Sequence, residues 1–143
     1  MTAMEYLQQL RNIDISISQD LRRLEAMRIS AAGRGAFDYS RDRVQASPVD
    51  RLCADVCDIV SFDDRLNARI DFFVDAKELV IEQIRGLHNA DYNAVLFYIY
   101  VEYKTLKQVA AEMQRSYRWA RDKHQEALDA FDDAYHDELR YLT

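Results

Sequence analysis

Through residues 50–87, apolar side chains recur at steps of three, four and seven: Leu52, Val56, Ile59, Leu66, Ile70, Phe73, Val80, Ile84 and Leu87. No Pro interrupts the run, and its only Gly, Gly86, stands at its end. This spacing lays the apolar positions along one stripe of a single α-helix of more than 30 residues. A helix with such a stripe is not stable alone in water; its stability comes from whatever covers the stripe.

The first candidate cover lies upstream. From Ala3 to about Ser30 the chain carries Leu7, Leu10, Ile17, Leu21 and Leu24 at the same kind of spacing, with Asp14 on the same stripe. Residues 31–48 lose the periodicity and hold Gly33, Gly35 and the only Pro of the chain, Pro48, so they form a loop. Two long helices joined by a loop fold back most simply as an antiparallel coiled-coil hairpin over residues 1–86. Three Gly and one Pro in 143 residues, with Leu, Ala, Arg, Glu and Asp abundant, fit an all-α chain. The second helix is the longer, and its surplus seam, Leu66, Ile70, Phe73, Val80 and Ile84, is the expected interface of a homodimer. The alternative is a monomer whose surplus packs against its own C-terminal domain. Asp14, Asp63 and Lys77 are polar members of the seams and candidates for fixing their register.

Residues 87–143 form a second domain. Tyr92, Val95, Leu96, Ile99 and Tyr103 mark a helix; the run VLFYIYV could also be a buried strand, but a lone strand would have no partner here. Over residues 105–131 the pattern becomes two short helices and a tight corner, a helix-turn-helix. Thr105 with Gln108 is a capping box for the first helix, Val109, Ala110 and Met113 form its buried stripe, and Ser116 caps the second. Ala110 is small enough for close approach of the two helices. Gln114 stands at the corner, where a left-handed backbone favours Gly, at a cost of about 1 kcal/mol for any other residue.

The formal net charge of −6 argues against a general nucleic-acid binder, but the charge is unevenly placed. Residues 104–124 hold six Lys or Arg against two acids, whereas residues 125–143 hold six acids against one Arg. The basic island therefore coincides with the helix-turn-helix, and Lys107, Arg115, Arg118, Arg121 and Lys123 stand where a phosphate backbone would lie. The bland reading of such a run is a solvated helical face. No Gly-rich phosphate loop and no nucleophile motif is present, and the only histidines are His88, His124 and His136; no enzyme activity, catalytic residue, metal or cofactor is expected. Cys53 and Cys57, one turn apart off the apolar seam, read as reduced thiols, with a zinc site the remote alternative. Trp119 reads as a core residue rather than a base-stacking group, and His124 as a packed or solvent-facing residue rather than a ligand. No apolar run approaches the roughly 18 residues of a membrane span, which places the protein in the cytoplasm with no membrane partner.

Three stretches carry a family resemblance: DRVQASP at 42–48, VLFYIYVEYKTLKQVAAEM at 95–113 and SYRWARDKHQEAL at 116–128. In order and spacing the chain resembles phage-associated transcription regulators with a sigma-70 region 4-like domain, similar to the ArpU-like and RinA-like late-gene activators of Gram-positive phages. The resemblance implies an N-terminal coiled coil, a C-terminal domain that binds promoter or operator DNA in a bacterial host, and contact with RNA polymerase as a further partner. It implies that Ser116, Tyr117, Arg118 and Arg121 face the major groove of double-stranded DNA. Gln114, Arg115, Lys123 and Ile99 depart from the family pattern, and the alternative implied is a protein-interaction module whose helix-turn-helix binds polymerase or another protein.

Overall fold

The computed structural model describes residues 1–34 and 48–142. Among them every regular element is helical: α1 (Ala3–Arg34), α2 (Pro48–Arg85), α3 (Ala90–Leu96), a π-helical segment (Phe97–Val101), α4 (Leu106–Glu112), α5 (Tyr117–Tyr135) and a 3-10 turn (His136–Glu138). The apolar run 95–101 is helix rather than strand. Helix α1 starts from a capping box in which the Glu5 amide donates to Thr2 Oγ1 at 3.2 Å and the Thr2 amide to Glu5 Oε2 at 2.8 Å. It runs through Ala31 and Gly33 to Arg34, past the expected break after Ser30, and α2 begins with Pro48 at its first position, where a missing amide costs no hydrogen bond. The rest of the expected loop, 35–47, lies outside the described residues, as does all of the 42–48 motif but Pro48.

The chain divides into two units, Ile15–Asp71 and Met1–Asp14 with Phe72–Thr143, rather than at the expected boundary after Gly86. In the first unit, α1 and α2 run antiparallel: Arg69 reaches Asp20 and Ser16, Arg28 lies 3.8 Å from Asp63, and the Arg23 guanidinium lies 5.2 Å from the Phe62 ring centre. Ile17, Leu24, Ala31 and Leu66 are buried, whereas Leu21, Leu52 and Val56, expected on the covered stripes, are exposed. Two helices cover only a narrow face of each other, and a stripe that drifts round the helix leaves it.

In the second unit one apolar cluster joins Tyr6, Leu7 and Leu10 of α1, Ala76, Val80 and Ile84 of α2, Leu96, Tyr100 and Val101, and Ala127, Leu128 and Phe131 of α5. The C-terminal helices are too few and too short to close a core alone, so the start of α1 and the end of α2 supply it. Of the expected dimer seam, Val80 and Ile84 are buried in this cluster and Leu66 is buried in the first unit, while Ile70 and Phe73 are half-buried. The C-terminal segment is docked too: Gln9 Nε2 donates to the Arg140 carbonyl at 3.0 Å, and the Leu142 amide donates to Gln9 Oε1 at 2.7 Å.

Candidate nucleic-acid interface

Helix α4 begins at Thr105, whose hydroxyl accepts from the Gln108 amide while Gln108 Oε1 accepts from the Thr105 amide at 2.9 Å, so the expected capping box is present. It stops in a left-handed turn. Gln114 has φ 54°, its amide donates to the Ala111 carbonyl at 3.2 Å, and the Arg115 amide donates to the Ala110 carbonyl at 2.9 Å. These two bonds satisfy carbonyls that a helix end leaves open, the geometry that usually selects Gly. Ser116 is extended at φ −72°, ψ 157°, and its hydroxyl accepts from the Trp119 amide at 3.1 Å to start α5. Val109 and Ala110 are buried on α4, as are Ala120, Ala127, Leu128 and Phe131 on α5. Met113, expected on the buried stripe, is only half-buried.

The opposite side of α5 is turned to solvent. Tyr117 is exposed, and the side chains of Arg118 and Arg121 are 85% and 60% exposed. Lys107 is exposed on the first turn of α4. The guanidinium of Arg115, at a position where an apolar residue is expected, lies 5.3 Å from the centre of the half-buried Trp119 ring. Ser116 is also exposed, but its hydroxyl is already committed as the cap. The residues expected to meet DNA are thus all exposed: Arg115, Ser116, Tyr117, Arg118 and Arg121 on the corner and the first turns of α5, and Lys107 apart from them at the start of α4.

Several basic residues of the island are paired, which the sequence count does not show. Lys104 Nζ lies 3.2 Å from both Glu102 and Glu112, and 4.6 Å from the Tyr98 ring centre. Lys123 Nζ lies 2.8 Å from Glu126, and the Tyr92 hydroxyl donates to the same carboxylate at 3.3 Å. Lys123 thereby has its charge matched, and its hydrogen bond holds the Glu126 carboxyl below its ordinary range. Arg118 and Arg121 share Asp122, at 3.9 and 3.5 Å. Among the described residues, Lys107 and Arg115 have no carboxylate partner within ion-pair distance.

Behind this face the Tyr100 hydroxyl lies 2.7 Å from His124 Nε2. Burial lowers the His124 pKa and raises that of Tyr100, so both are neutral in the folded chain near neutrality. Tyr100 stands on the π-helical segment, which ends where the Lys104 amide donates to the Tyr98 carbonyl at 2.8 Å and Tyr103 turns left-handed at φ 58°. Burial, with the Asp14 carboxylate beside it, pushes the Tyr103 phenol up to about 12. Asp14, read as a seam residue, therefore faces the segment that leads into α4. Cys53 and Cys57 are free and exposed, and among the described residues no three His, Cys, Asp or Glu side chains converge on a metal-sized site. Among the described residues no helix is long and apolar enough to cross a membrane. No family model, no curated protein and no solved structure matches the chain.

Proposed function

We propose that this protein is a DNA-binding transcriptional regulator of the phage or prophage type, acting in the cytoplasm of a bacterial host. In this reading α4 and α5 are a sigma-70 region 4-like helix-turn-helix, and α5 is the helix that enters the major groove. The long antiparallel pair is then the coiled-coil hairpin of the resembled regulators. The observation that carries the reading is the corner itself: a capped helix, a left-handed stop at Gln114 and a second capped helix presenting Arg115, Tyr117, Arg118 and Arg121 to solvent. A left-handed Gln at this point, with the arginines left outside the packed pair of helices, supports a surface held for recognition.

The test is binding of the purified chain to a pool of host and phage DNA fragments at two salt concentrations. Enrichment of particular fragments supports the reading, and steep salt dependence without enrichment reduces it to non-specific attraction. Arg118→Ala and Arg121→Ala should each cost about 1–3 kcal/mol of binding where the arginine meets a guanine edge, with the thermal midpoint unchanged because both side chains are exposed. Ala110→Leu, at a buried position, should instead damage the fold.

A second reading, a helix-turn-helix that binds RNA polymerase or another protein, is favoured by the acids that follow on α5, Glu126, Asp129, Asp132 and Asp133. It takes precedence if the parent binds no DNA. In either reading the chain self-associates along α2 through the exposed residues Leu52, Val56 and Val60.

A further inference from the structure

The outward face of α5 carries one carboxylate among its arginines. Asp122 Oδ2 lies 3.9 Å from Arg118 Nε, one helical turn back, and Asp122 Oδ1 lies 3.5 Å from an Arg121 Nη. The Asp122 side chain is 53% exposed, so the group is neither forced together by the core nor needed by it, and exposed pairs of this kind add little to stability. Asp122 thus stands at the C-terminal edge of the arginine face, within reach of both guanidiniums.

We infer that Asp122 is a specificity-determining residue of the DNA contact, one that disfavours the phosphate backbone and supports base edges. The inference rests on the reading of α5 as the helix that meets DNA. In a non-specific complex the two guanidiniums would sit on phosphates, which brings the carboxylate against the same anionic strand; the repulsion costs the same for every sequence. In a specific complex each guanidinium turns to a base edge. A bidentate contact with guanine uses two of its five N–H groups and leaves others for the carboxylate. The carboxylate can itself accept from a cytosine amino group. One side chain thus penalises the unselective mode and is satisfied in the selective one.

The experiment uses the full chain and two variants, Asp122→Asn and Asp122→Glu, in fluorescence anisotropy against two duplexes. One duplex is the fragment that the parent enriches most strongly from the host and phage pool; the other has the same bases shuffled. Asp122→Asn should tighten binding to the shuffled duplex by about threefold to tenfold at low salt and steepen its salt dependence, because a repulsive charge has gone. Its affinity for the selected duplex should stay level or fall, because the contacts the carboxylate makes there are lost together with its repulsion, so the discrimination ratio falls. Asp122→Glu should retain most of the ratio, and the thermal midpoints of all three proteins should coincide. Equal gains on both duplexes, or no change on either, would overturn the inference and leave DNA binding standing, as would a parent that binds DNA without discrimination. A parent that binds neither duplex removes the DNA reading and the inference together.

Discussion

At Gln114 the backbone has φ 54°, a region that costs a residue with a side chain about 1 kcal/mol more than Gly. Gln114→Gly should therefore stabilise the fold by roughly 0.5–1 kcal/mol in urea unfolding, while Gln114→Val should destabilise it, because a branched Cβ fits this region worst. Gly86 presents the reverse case. A methyl group there would fall on the Tyr135 hydroxyl, which donates to the Gln83 carbonyl at 2.7 Å. Gly86→Ala should cost on the order of 1–3 kcal/mol, since either the hydrogen bond or the close approach of α5 must give way. In a Tyr135→Phe background the obstructing oxygen is gone and the same change should be nearly neutral, which separates crowding from any backbone effect. The two caps and the buried stripe confine the corner to Gln114 and Arg115, and the usual place of Gly in helix-turn-helix motifs pointed to Gln114 for the left-handed residue. The need for Gly86 was not legible, because Tyr135 is 49 positions away and nothing local announces the contact.

At the level of elements, α5 is tied to the π-helical segment through His124 and Tyr100, 2.7 Å apart. Burial lowers the His124 pKa below the ordinary 6.5, so the unfolded chain takes up a proton at a higher pH than the folded one. This stability contribution is fully present above 6.5 and is lost as pH falls from there through the lower folded-state value. The urea midpoint of the parent should drop between about pH 7.5 and pH 5.5, a window chosen above the titration of ordinary carboxylates. His124→Gln should remove most of that drop, whereas Tyr100→Phe should retain it, because burial rather than the hydrogen bond lowers the pKa. The helix expected from Tyr92 to Tyr103, preferred over a strand because a lone strand would have no partner, ends at Val101 with Tyr103 left-handed beyond it, and its π-helical end was not legible, since side-chain spacing does not reveal which carbonyl each amide reaches. The capping residues Thr105 and Ser116 were legible for the opposite reason: their partners lie three residues away, and the chemistry is local.

For the whole molecule, the long stripe of α2 raised the question of cover, and the chain answers it unevenly. Val80 and Ile84 are buried with the start of α1 and the C-terminal helices, and Leu66 is buried in the unit of residues 15–71, whereas Leu52, Val56 and Val60 are 43%, 48% and 53% exposed. These three stand four residues apart, so they lie along one line of the helix and expose a continuous apolar strip rather than scattered side chains. Which part of a seam the chain covers by itself depends on tertiary packing, and the heptad pattern is equally regular in both parts, so the sequence could not apportion it. A second copy laid along this strip would bury it in the way the hairpin buries Leu24 and Leu66. Light scattering at micromolar concentration should then give the mass of two chains, and Val56→Glu should halve it without changing helical content, because Val56 contributes little to the fold. Val80→Glu is the contrasting variant: a carboxylate at a fully buried position should unfold its unit whatever the oligomeric state. A parent with the mass of one chain would end the dimer proposal. A Val56→Glu protein that stays paired would move the interface elsewhere on the surface.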